Sequence, residues 1–302
     1  MKVLVTGGAG FIGTNLIKRL LKDGHEVHSV DNYSTGFKEN HQTECEYFNR
    51  DLSENYWWSL SSSCYCEFSC DCKIEQVDVI YHLAARARIV PSFKNPFATY
   101  KSNALATENV LEWARKYKTP VIYAGTSSVH NDKYANPYTF TKHQGEELIT
   151  LYNKLFDVPT SICRFYNVYG PHQLTEGDYC CLLGIFERQY NNGEALTITG
   201  DGEQRRDFTH VEDIVDGIVK CGEELVLKTD KSDINGKSFE LGRGKNYSIN
   251  EIVEAFGVFR VKYLPPRPGE AKITLNTDTR AETILGWTPK KDIIEYIKDN
   301  YL

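Results

Sequence analysis

The amino-acid sequence predicts an α/β protein in which a doubly wound parallel sheet is joined by a second, smaller α/β domain. The first observation is a short apolar run rich in β-branched residues, Lys2–Thr6, which is typical of a buried parallel strand. A glycine-rich turn and a helical pattern ending at Gly24 follow it directly. The second observation is that strand-like and helix-like patterns then alternate, as in sheets covered by helices on both faces.

Further strands are predicted from short apolar runs, and further helices from apolar residues at helical spacing. The predicted strands are Glu26–Val30, Cys45–Phe48, Gln76–His82, Val121–Gly125, Ala195–Thr199 and Phe239–Gly242. The predicted helices are Pro96–Tyr117, Tyr138–Leu155, Gly177–Asn192, Val211–Cys221, Ile249–Phe256, Ala281–Gly286 and Asp292–Tyr301. His82 closes its strand and is predicted to be a packed histidine rather than a catalyst.

The turn after the first strand carries glycines at positions 7, 10 and 13, in the spacing G-x-x-G-x-x-G. Such a turn lets backbone N–H groups at a helix N-terminus approach a pyrophosphate with no Cβ in the way. Asp31 ends the second strand, where an acid accepts both ribose hydroxyls of NAD and repels a 2′-phosphate. An ordinary strand-to-helix turn is the alternative for the glycines alone. Strand, turn, helix and acid together predict a dinucleotide-binding half that prefers NAD to NADP.

Composition limits the possible partners and the location. The 302-residue chain is 41% hydrophobic and 25% charged with a net charge of −6, which argues against nucleic acid as a partner. An anionic ligand would therefore need local basic groups. No apolar run reaches the roughly 18–20 residues of a membrane span. Because the first strand starts at the N-terminus and the nine cysteines are an odd number, we expect a reducing cytoplasm, free thiols and no targeting segment.

Two further features, the acidic residue Asp51 and a cysteine-rich segment, each allow two interpretations. Asp51 follows the third strand and is predicted to reach the adenine end of the cofactor, with a solvated loop acid as the alternative. Cys64, Cys66, Cys70 and Cys72 could ligate zinc or an iron–sulfur cluster. The C-x-C spacing is tighter than the usual C-x-x-C, so reduced cysteines in an irregular loop are favoured and no metal site is predicted.

The catalytic hypothesis rests on two residues at helical spacing. Tyr138 and Lys142 lie at i and i+4, which places both side chains on one helix face. A lysine ammonium beside a phenol favours phenolate and lowers the tyrosine pKa, so that Tyr138 can accept a proton near neutral pH. A surface Tyr/Lys pair is the alternative. The hydroxyl-bearing end of the preceding strand, Thr126 and Ser127, favours the catalytic interpretation.

The sequence resembles a known family in an ordered set of motifs. These are Thr6–Gly13, Asp31-Asn32, His82–Ala85, Tyr138-x-x-x-Lys142, Arg164–Pro171 and Gly200–Phe208. Together they resemble the NAD-dependent epimerase/dehydratase family, extended short-chain dehydrogenases that act on nucleotide sugars, and within it the UDP-sugar 4-epimerases. The resemblance spans residues 1 to about 290.

The resemblance implies a fold and an assembly. It implies a Rossmann domain over residues 1–167, with returning segments near 207–245, and an interleaved substrate domain mainly over 168–302. The substrate domain would grip a nucleoside diphosphate sugar. Helices over 95–118 and 138–155 resemble those that pair as a homodimer interface in this family.

The family's functional roles carry over residue by residue. The resemblance implies Tyr138, Lys142 and Thr126 as the catalytic residues. It implies that NAD contacts Gly7, Gly10, Phe11, Ile12, Gly13, Asp31, Asn32, Ser34, Thr35, Gly36, Asp51, Leu52, Leu83, Ala84, Ala85, Asn103, Tyr138, Lys142 and Phe165. It implies that the nucleotide sugar contacts Arg88, Thr126, Ser127, Asn167, Arg206, Arg267, Glu270 and Thr274. Bidentate guanidinium groups are suited to a diphosphate.

The chain departs from the family between Thr126 and Tyr138. Only twelve positions separate these residues, fewer than in most extended members, and the usual Val-Tyr-Gly is replaced by Val129-His130-Asn131. The missing segment borders the sugar pocket in this family. We therefore expect that wall of the pocket to be open or supplied differently.

The residues after Thr126 indicate the reaction. In the family's 4,6-dehydratases an Asp-Glu pair follows the catalytic threonine, and the related decarboxylase carries Glu at the second position. Here the two positions are Ser127 and Ser128. We therefore expect C4 epimerisation of a UDP-glucose or UDP-N-acetylglucosamine type of substrate through a 4-keto intermediate. The alternatives are a dehydratase or other oxidoreductase of the same family, or a non-catalytic protein that binds NAD or a sugar nucleotide.

Two positions bear on the choice of sugar. The resemblance places Thr274 beside the C2 substituent, where a tyrosine restricts the pocket to plain hexoses and a small residue admits N-acetyl groups. Arg86 and Arg88 follow the His82–Ala85 motif, where a cation could instead recognise a C6 carboxylate. We expect turnover of UDP-N-acetylglucosamine as well as UDP-glucose, with UDP-glucuronate as the alternative.

Overall fold

A computed structural model describes residues 1–54, 74, 76–228, 232–257, 260–266 and 271–302. The segment with Cys64, Cys66, Cys70 and Cys72 lies outside the described residues, and so do Arg267 and Glu270. The predictions made for these six residues are therefore not addressed by the structure.

The described elements follow the predicted alternation. The strands are β1 (Lys2–Thr6), β2 (Glu26–Asp31), β3 (Cys45–Asn49), β4 (Val79–His82), β5 (Val121–Thr126), β6 (Thr160–Phe165), β7 (Val168–Tyr169), β8 (Leu196–Thr199), β9 (Arg205–Asp207), β10 (Thr209–His210), β11 (Lys237–Leu241), β12 (Asn246–Ser248) and β13 (Val261–Leu264). The helices are α1 (Phe11–Lys22), α2 (Ile89–Lys94), α3 (Pro96–Tyr100), α4 (Ala106–Tyr117), α5 (Pro137–Phe156), α6 (Leu182–Asn191), α7 (Val211–Lys228), α8 (Ile249–Ala255), α9 (Arg280–Leu285) and α10 (Ile293–Tyr301).

The central sheet has seven strands in the order β11-β6-β5-β4-β1-β2-β3, and every neighbouring pair in it is parallel. Apolar side chains from alternate positions fill both faces. Val3 and Val5 pack on one face with α1 and α7, whereas Leu4 packs on the other with Trp113 of α4 and Ile149 of α5. Helices on both faces of a parallel sheet confirm the doubly wound class.

A separate core holds the smaller part of the molecule. Phe186 of α6, Leu196 of β8, Ile252 of α8 and Ile297 of α10 are buried together with Phe256, which directly follows α8. Its strands pair in three two-stranded sheets, β10-β7, β12-β9 and β13-β8. Because β11 and α7 return to the large sheet between these elements, the two parts interleave along the chain, as predicted.

The differences from the predicted elements have local causes. The helix predicted to start at Gly177 starts at Leu182, because Gly177 has a left-handed φ of 87° and Cys181 is extended. The helix predicted over 96–117 is π-helical over Lys101–Leu105. Strand β6 carries the charged Arg164 inside the sheet, which hides the apolar pattern. Among the described residues no helix has the length and apolarity needed to cross a bilayer.

Candidate active site

A cavity of about 670 Å³ lies at the carboxyl ends of the central strands, where the smaller part of the molecule faces the sheet. This edge is where open parallel sheets bind their ligands. Gly7, Asp31, Thr126, Tyr138 and Arg206, predicted from separate motifs, all line it. The structure therefore brings the predicted nucleotide and sugar sites into one space.

The glycine turn forms a close-fitting cradle. Gly7 has a φ of +73°, and a Cβ on it would lie 2.9 Å from the Cα of Ala84. A Cβ on Gly13 would lie 2.2 Å from the carbonyl oxygen of Gly7. Gly10 precedes α1 and has no side chain that could cap the first backbone N–H groups of the helix. Gly10, Phe11 and Ile12 line the cavity, so the N-terminus of α1 lies at its wall. This arrangement fits a pyrophosphate.

Asp31, the last residue of β2, is hydrogen-bonded to the glycine turn. Its carboxylate accepts the backbone N–H of Ala9 at 3.0 Å and that of Tyr33 at 2.8 Å, and burial raises its pKa. Each carboxylate oxygen can accept a second bond, so both ribose hydroxyls can still be bound. Asn32 donates to Asp51 at 3.2 Å, so the residues predicted to bind the ribose and the adenine are connected.

The predicted catalytic residues meet at the end of β5. Thr126 and Tyr138 both line the cavity there, Thr126 lowers the pKa of Tyr138, and the Thr126 hydroxyl donates to Ser128 at 3.3 Å. Lys142 is buried, and its Nζ donates to the carbonyl oxygen of Ala124 at 2.7 Å. The spacing of Tyr138 and Lys142 therefore places both on the cavity wall, as predicted.

The prediction that the pKa of Tyr138 is lowered is wrong, because its pKa is raised in the structure. Burial raises the pKa of Tyr138, and the groups that oppose this rise are the Thr126 hydrogen bond and the Arg88 charge. Burial also lowers the pKa of Lys142 to about 7, against the attraction of Glu146. The spacing of the two residues cannot reveal burial, and burial disfavours the charged form of each.

The sugar and diphosphate side is built from β9 and the loop before β7. Asn167 donates to the Oγ1 of Thr274 at 3.2 Å and to the carbonyl oxygen of Asp207 at 3.0 Å. Arg206 donates to the carbonyl oxygens of Arg205 and Lys272, at 3.0 and 3.3 Å. Asn167, Arg206 and Thr274 all line the cavity.

The two arginines after β4 differ in position. Arg88 lines the cavity and donates from its Nε to the carbonyl oxygen of Cys180 at 3.2 Å. Arg86 donates to the hydroxyl of Tyr179 at 3.4 Å, and the cavity lining does not include it. Of the two candidates for carboxylate recognition, Arg88 is therefore the one placed to meet a sugar.

Comparisons with known proteins agree with this geometry. The sequence profile of the NAD-dependent epimerase/dehydratase family matches residues 3–236. The UDP-glucose 4-epimerase of Mycolicibacterium smegmatis is 32% identical over 322 residues, covering 98% of this chain and 96% of that protein.

The chain belongs to the NAD-dependent epimerase/dehydratase family.

Solved structures extend the likeness. UDP-glucose 4-epimerase from Thermotoga maritima, determined with UDP-glucose, superimposes with a TM-score of 0.86 at 27% identity, covering 99% of this chain and 96% of that one. UDP-glucuronic acid 4-epimerase from Bacillus cereus, determined with UDP-glucuronic acid and NAD, gives 0.84 at 28% identity, covering 100% and 98%. A UDP-glucuronic acid decarboxylase from Danio rerio is 29% identical over 311 residues, covering 95% of this chain and 69% of that protein. The predicted family and its cofactor, NAD, are confirmed.

Most residues that the family resemblance singled out line the cavity of this family member. Of the residues predicted to contact NAD, those that line the cavity are Gly7, Gly10, Phe11, Ile12, Gly13, Asp31, Asn32, Ser34, Thr35, Asp51, Leu52, Leu83, Ala84, Ala85, Tyr138, Lys142 and Phe165. The lining does not include Gly36 or Asn103. Gly36 packs under the turn, where a Cβ would lie 2.8 Å from Ala9. Asn103 accepts the backbone N–H of Arg86 at 2.7 Å and donates to Thr141 at 3.1 Å.

His82 is packed, as predicted. Its two ring nitrogens lie 2.7 Å from the Thr6 hydroxyl and 3.0 Å from the Thr107 hydroxyl, and burial lowers its pKa to about 3. It therefore stays neutral and holds β4 against β1 and α4.

Several residues that line the cavity were not predicted from the sequence. Tyr179, Cys180 and Cys181 come from the segment before α6, which was predicted to be the start of that helix rather than part of a cavity wall. Asn131 and Asn136 flank the shortened loop and also line the cavity. The capping pattern of Asn136 before Pro137 could have identified this second loop end, because Asn136 accepts the N–H of Thr139 at 2.8 Å.

Proposed function

We propose that the protein is an NAD-dependent enzyme that epimerises a UDP-sugar at C4. The observation that supports this proposal is that Thr126, Tyr138 and Lys142 line the same cavity as the glycine cradle. The same cavity exposes Asn167 and Arg206 to a diphosphate. We further propose that residues 1–167 with the segments near 207–245 hold the cofactor, and that 168–302 mainly hold the sugar nucleotide.

The chain's own residues handle the proton at O4. When bound, NAD would supply the redox chemistry, as acceptor and donor of the C4 hydride. Tyr138 takes the proton of the C4 hydroxyl, and Thr126 hydrogen-bonds the same oxygen. Burial raises the pKa of Tyr138 and so disfavours the phenolate. The positive charge of Arg88 lowers that pKa and favours the phenolate. Lys142 is placed to hold the nicotinamide ribose from the turn behind Tyr138.

The residues beside Thr126 favour epimerisation over loss of a group. Ser128 accepts from the Thr126 hydroxyl at 3.3 Å, at the position where a decarboxylase carries Glu. Of the described lining residues, the carboxylates are Asp31, Asp51 and Asp178. Asp31 and Asp51 lie at the ribose and adenine side, and Asp178 pairs with Lys94 at 2.7 Å. Expulsion of the C6 hydroxyl needs a carboxylate beside Thr126, which this arrangement does not supply.

We propose that the sugar pocket accepts UDP-N-acetylglucosamine as well as UDP-glucose. The small Thr274 lines the cavity, and its hydroxyl accepts from Asn167 and from the N–H of Asp207. Volume permits an acetamide but does not select it. UDP-glucuronate is the second candidate, because Arg88 lines the same cavity and its charge acts on Tyr138.

We propose that the protein acts as a homodimer through the helices of its first half. Large apolar side chains on these helices are exposed, including Phe97 at 70%, Tyr100 at 41%, Leu151 at 44% and Leu155 at 66%. A second copy would cover them, since contiguous exposed apolar patches mark protein interfaces. Light scattering should give twice the 34.5 kDa chain mass, and a single-chain mass would contradict this assembly.

The function is tested by incubating the purified protein with a panel of UDP-, dTDP- and GDP-sugars without added NAD. Products are identified by NMR. We expect the C4 epimer of a UDP-sugar to accumulate to equilibrium. A deoxy-keto sugar, a pentose with carbon dioxide, or no product with any sugar would contradict the proposal.

A further inference from the structure

An ion-pair network with buried carboxylates lies beside the cavity, and His130, whose side chain is 51% exposed, connects it to the shortened loop. Glu240 of β11 accepts from Arg164 at 2.9 Å, from Tyr166 at 3.0 Å and from His130 at 3.0 Å. Arg164 also pairs with Glu146 of α5 at 2.7 Å. The Glu240 side chain is 4% exposed and that of Glu146 is 9% exposed.

A protonated His130 adds a positive charge beside Glu240, while Glu146 is also attracted by the ammonium of Lys142. Two buried carboxylates, Glu146 and Glu240, face one guanidinium, that of Arg164. An uncompensated buried charge is costly, so a second cation is favoured there. His130 supplies it, and its hydrogen bond to Glu240 raises its pKa above the ordinary value.

The other charged groups near His130 add no net positive charge beside Glu240. His143 and Glu147 of α5 line the cavity of about 340 Å³ that His130 borders. Asp278 and Arg280, at the start of α9, pair with each other and act on Arg164 and Glu240. These two opposite charges offset one another.

The network has two connections to the catalytic residues. His130 ends a single turn over Ser127–His130 that starts at Thr126, and Ser127 and Ser128 line the catalytic cavity. At the other end, the charge of Glu146 acts on both Lys142 and Tyr138.

We propose that His130 is a positioning residue that fastens the shortened loop to the central sheet through Glu240, so that the loop is held when His130 is protonated and loosens when it is neutral. The role in turnover rests on the proposed function, whereas the fastening does not. Because the folded pKa of His130 lies above its unfolded value of about 6.5, the fastening is complete below that pH and is lost as pH rises through the folded pKa.

The fastening is tested by amide hydrogen exchange over residues 127–136 at pH 6 and pH 8.5, corrected for intrinsic rates. The wild type should lose about tenfold in protection between the two pH values. His130→Gln keeps a donor but no charge, and should show low protection at both. His143→Gln is the control, since it changes a histidine of the same cavity whose Nε2 has no hydrogen-bond partner among the described residues. Equal protection in the wild type and His130→Gln at pH 6 would overturn the proposal.

The effect on turnover is tested with whichever UDP-sugar the panel identifies. At pH 6, His130→Gln should raise KM about tenfold with kcat changed less than KM, because loop placement positions the sugar. The difference should vanish at pH 8.5. Unchanged kinetics at pH 6 together with altered exchange would overturn the positioning role. If no sugar is turned over, the proposed function fails and the exchange data still decide the fastening.

Discussion

The ammonium of Lys142 lies 2.7 Å from the carbonyl oxygen of Ala124, two residues before the end of β5. It also lies 4.0 Å from the ring centre of Tyr123, over the face of the ring. Strand β5 therefore holds the lysine from one side and presents Thr126 to Tyr138 at its end. The residues that we propose as catalytic are therefore held relative to one another by the central sheet.

Tyr138→Phe should lower kcat by about 10²–10⁴, the range for loss of a general acid–base group. The ring stays, so binding of the UDP-sugar should change little by calorimetry. Tyr134→Phe serves as the control, because Tyr134 is 71% exposed in the same loop. Near wild-type turnover in Tyr138→Phe would show that the base lies elsewhere.

Lys142→Met should change how stability depends on pH. Burial lowers the pKa of Lys142 to about 7, below the unfolded value of about 10.4. The unfolded state therefore binds more protons between these values, and this group makes the wild type gain stability as pH rises through them. Denaturant unfolding of both proteins at pH 7 and pH 9.5 should show a larger gain for the wild type. Equal gains would mean that the ammonium is not destabilised in the fold.

Asp31→Asn should narrow the preference for NAD over NADP, because the carboxylate repels a 2′-phosphate. Calorimetry on the wild type should show strong selectivity for NAD. Glu26→Gln changes the net charge equally at the other end of β2, where Glu26 is exposed, and should leave the selectivity intact. Equal affinity of the wild type for the two cofactors would contradict the role of Asp31.

Thr274→Tyr should abolish turnover of UDP-N-acetylglucosamine and spare UDP-glucose, because the phenol ring fills the space that an acetamide needs. The substitution also removes the hydroxyl that accepts from Asn167 and Asp207. Thr274→Ser keeps that hydroxyl and is the matched control. An unchanged ratio of kcat/KM values for the two sugars would show that Thr274 does not gate the pocket.

The sequence predicted those parts of the fold that depend on local pattern. The first strand, its glycine turn and Asp31 were identified from their order alone, because backbone approach to a ligand requires glycines there. Strand β6 was missed because Arg164 breaks its apolar run, and only the tertiary structure shows the pairing with Glu146 and Glu240 that allows its burial.

The pKa shifts and ion pairs of the site could not be predicted from the spacing of residues in the sequence, because they depend on burial and on tertiary contacts. Tyr138 and Lys142 both line the cavity, yet the predicted direction of the Tyr138 pKa shift was wrong, because burial raises that pKa by more than Thr126 and Arg88 lower it. The role of His130 could not be predicted, since Glu240 is far from it in the sequence and meets it only when β11 joins the sheet beside β6.

The central claim is tested most directly by isotope retention. UDP-glucose and UDP-N-acetylglucosamine deuterated at C4 are incubated with the purified protein in ordinary water, without added NAD, and followed by NMR. C4 epimerisation through a 4-keto sugar predicts the 4-epimer with deuterium kept at C4, because the hydride leaves and returns without meeting solvent. A 4-epimer with hydrogen at C4, or a deoxygenated or decarboxylated product, would contradict it.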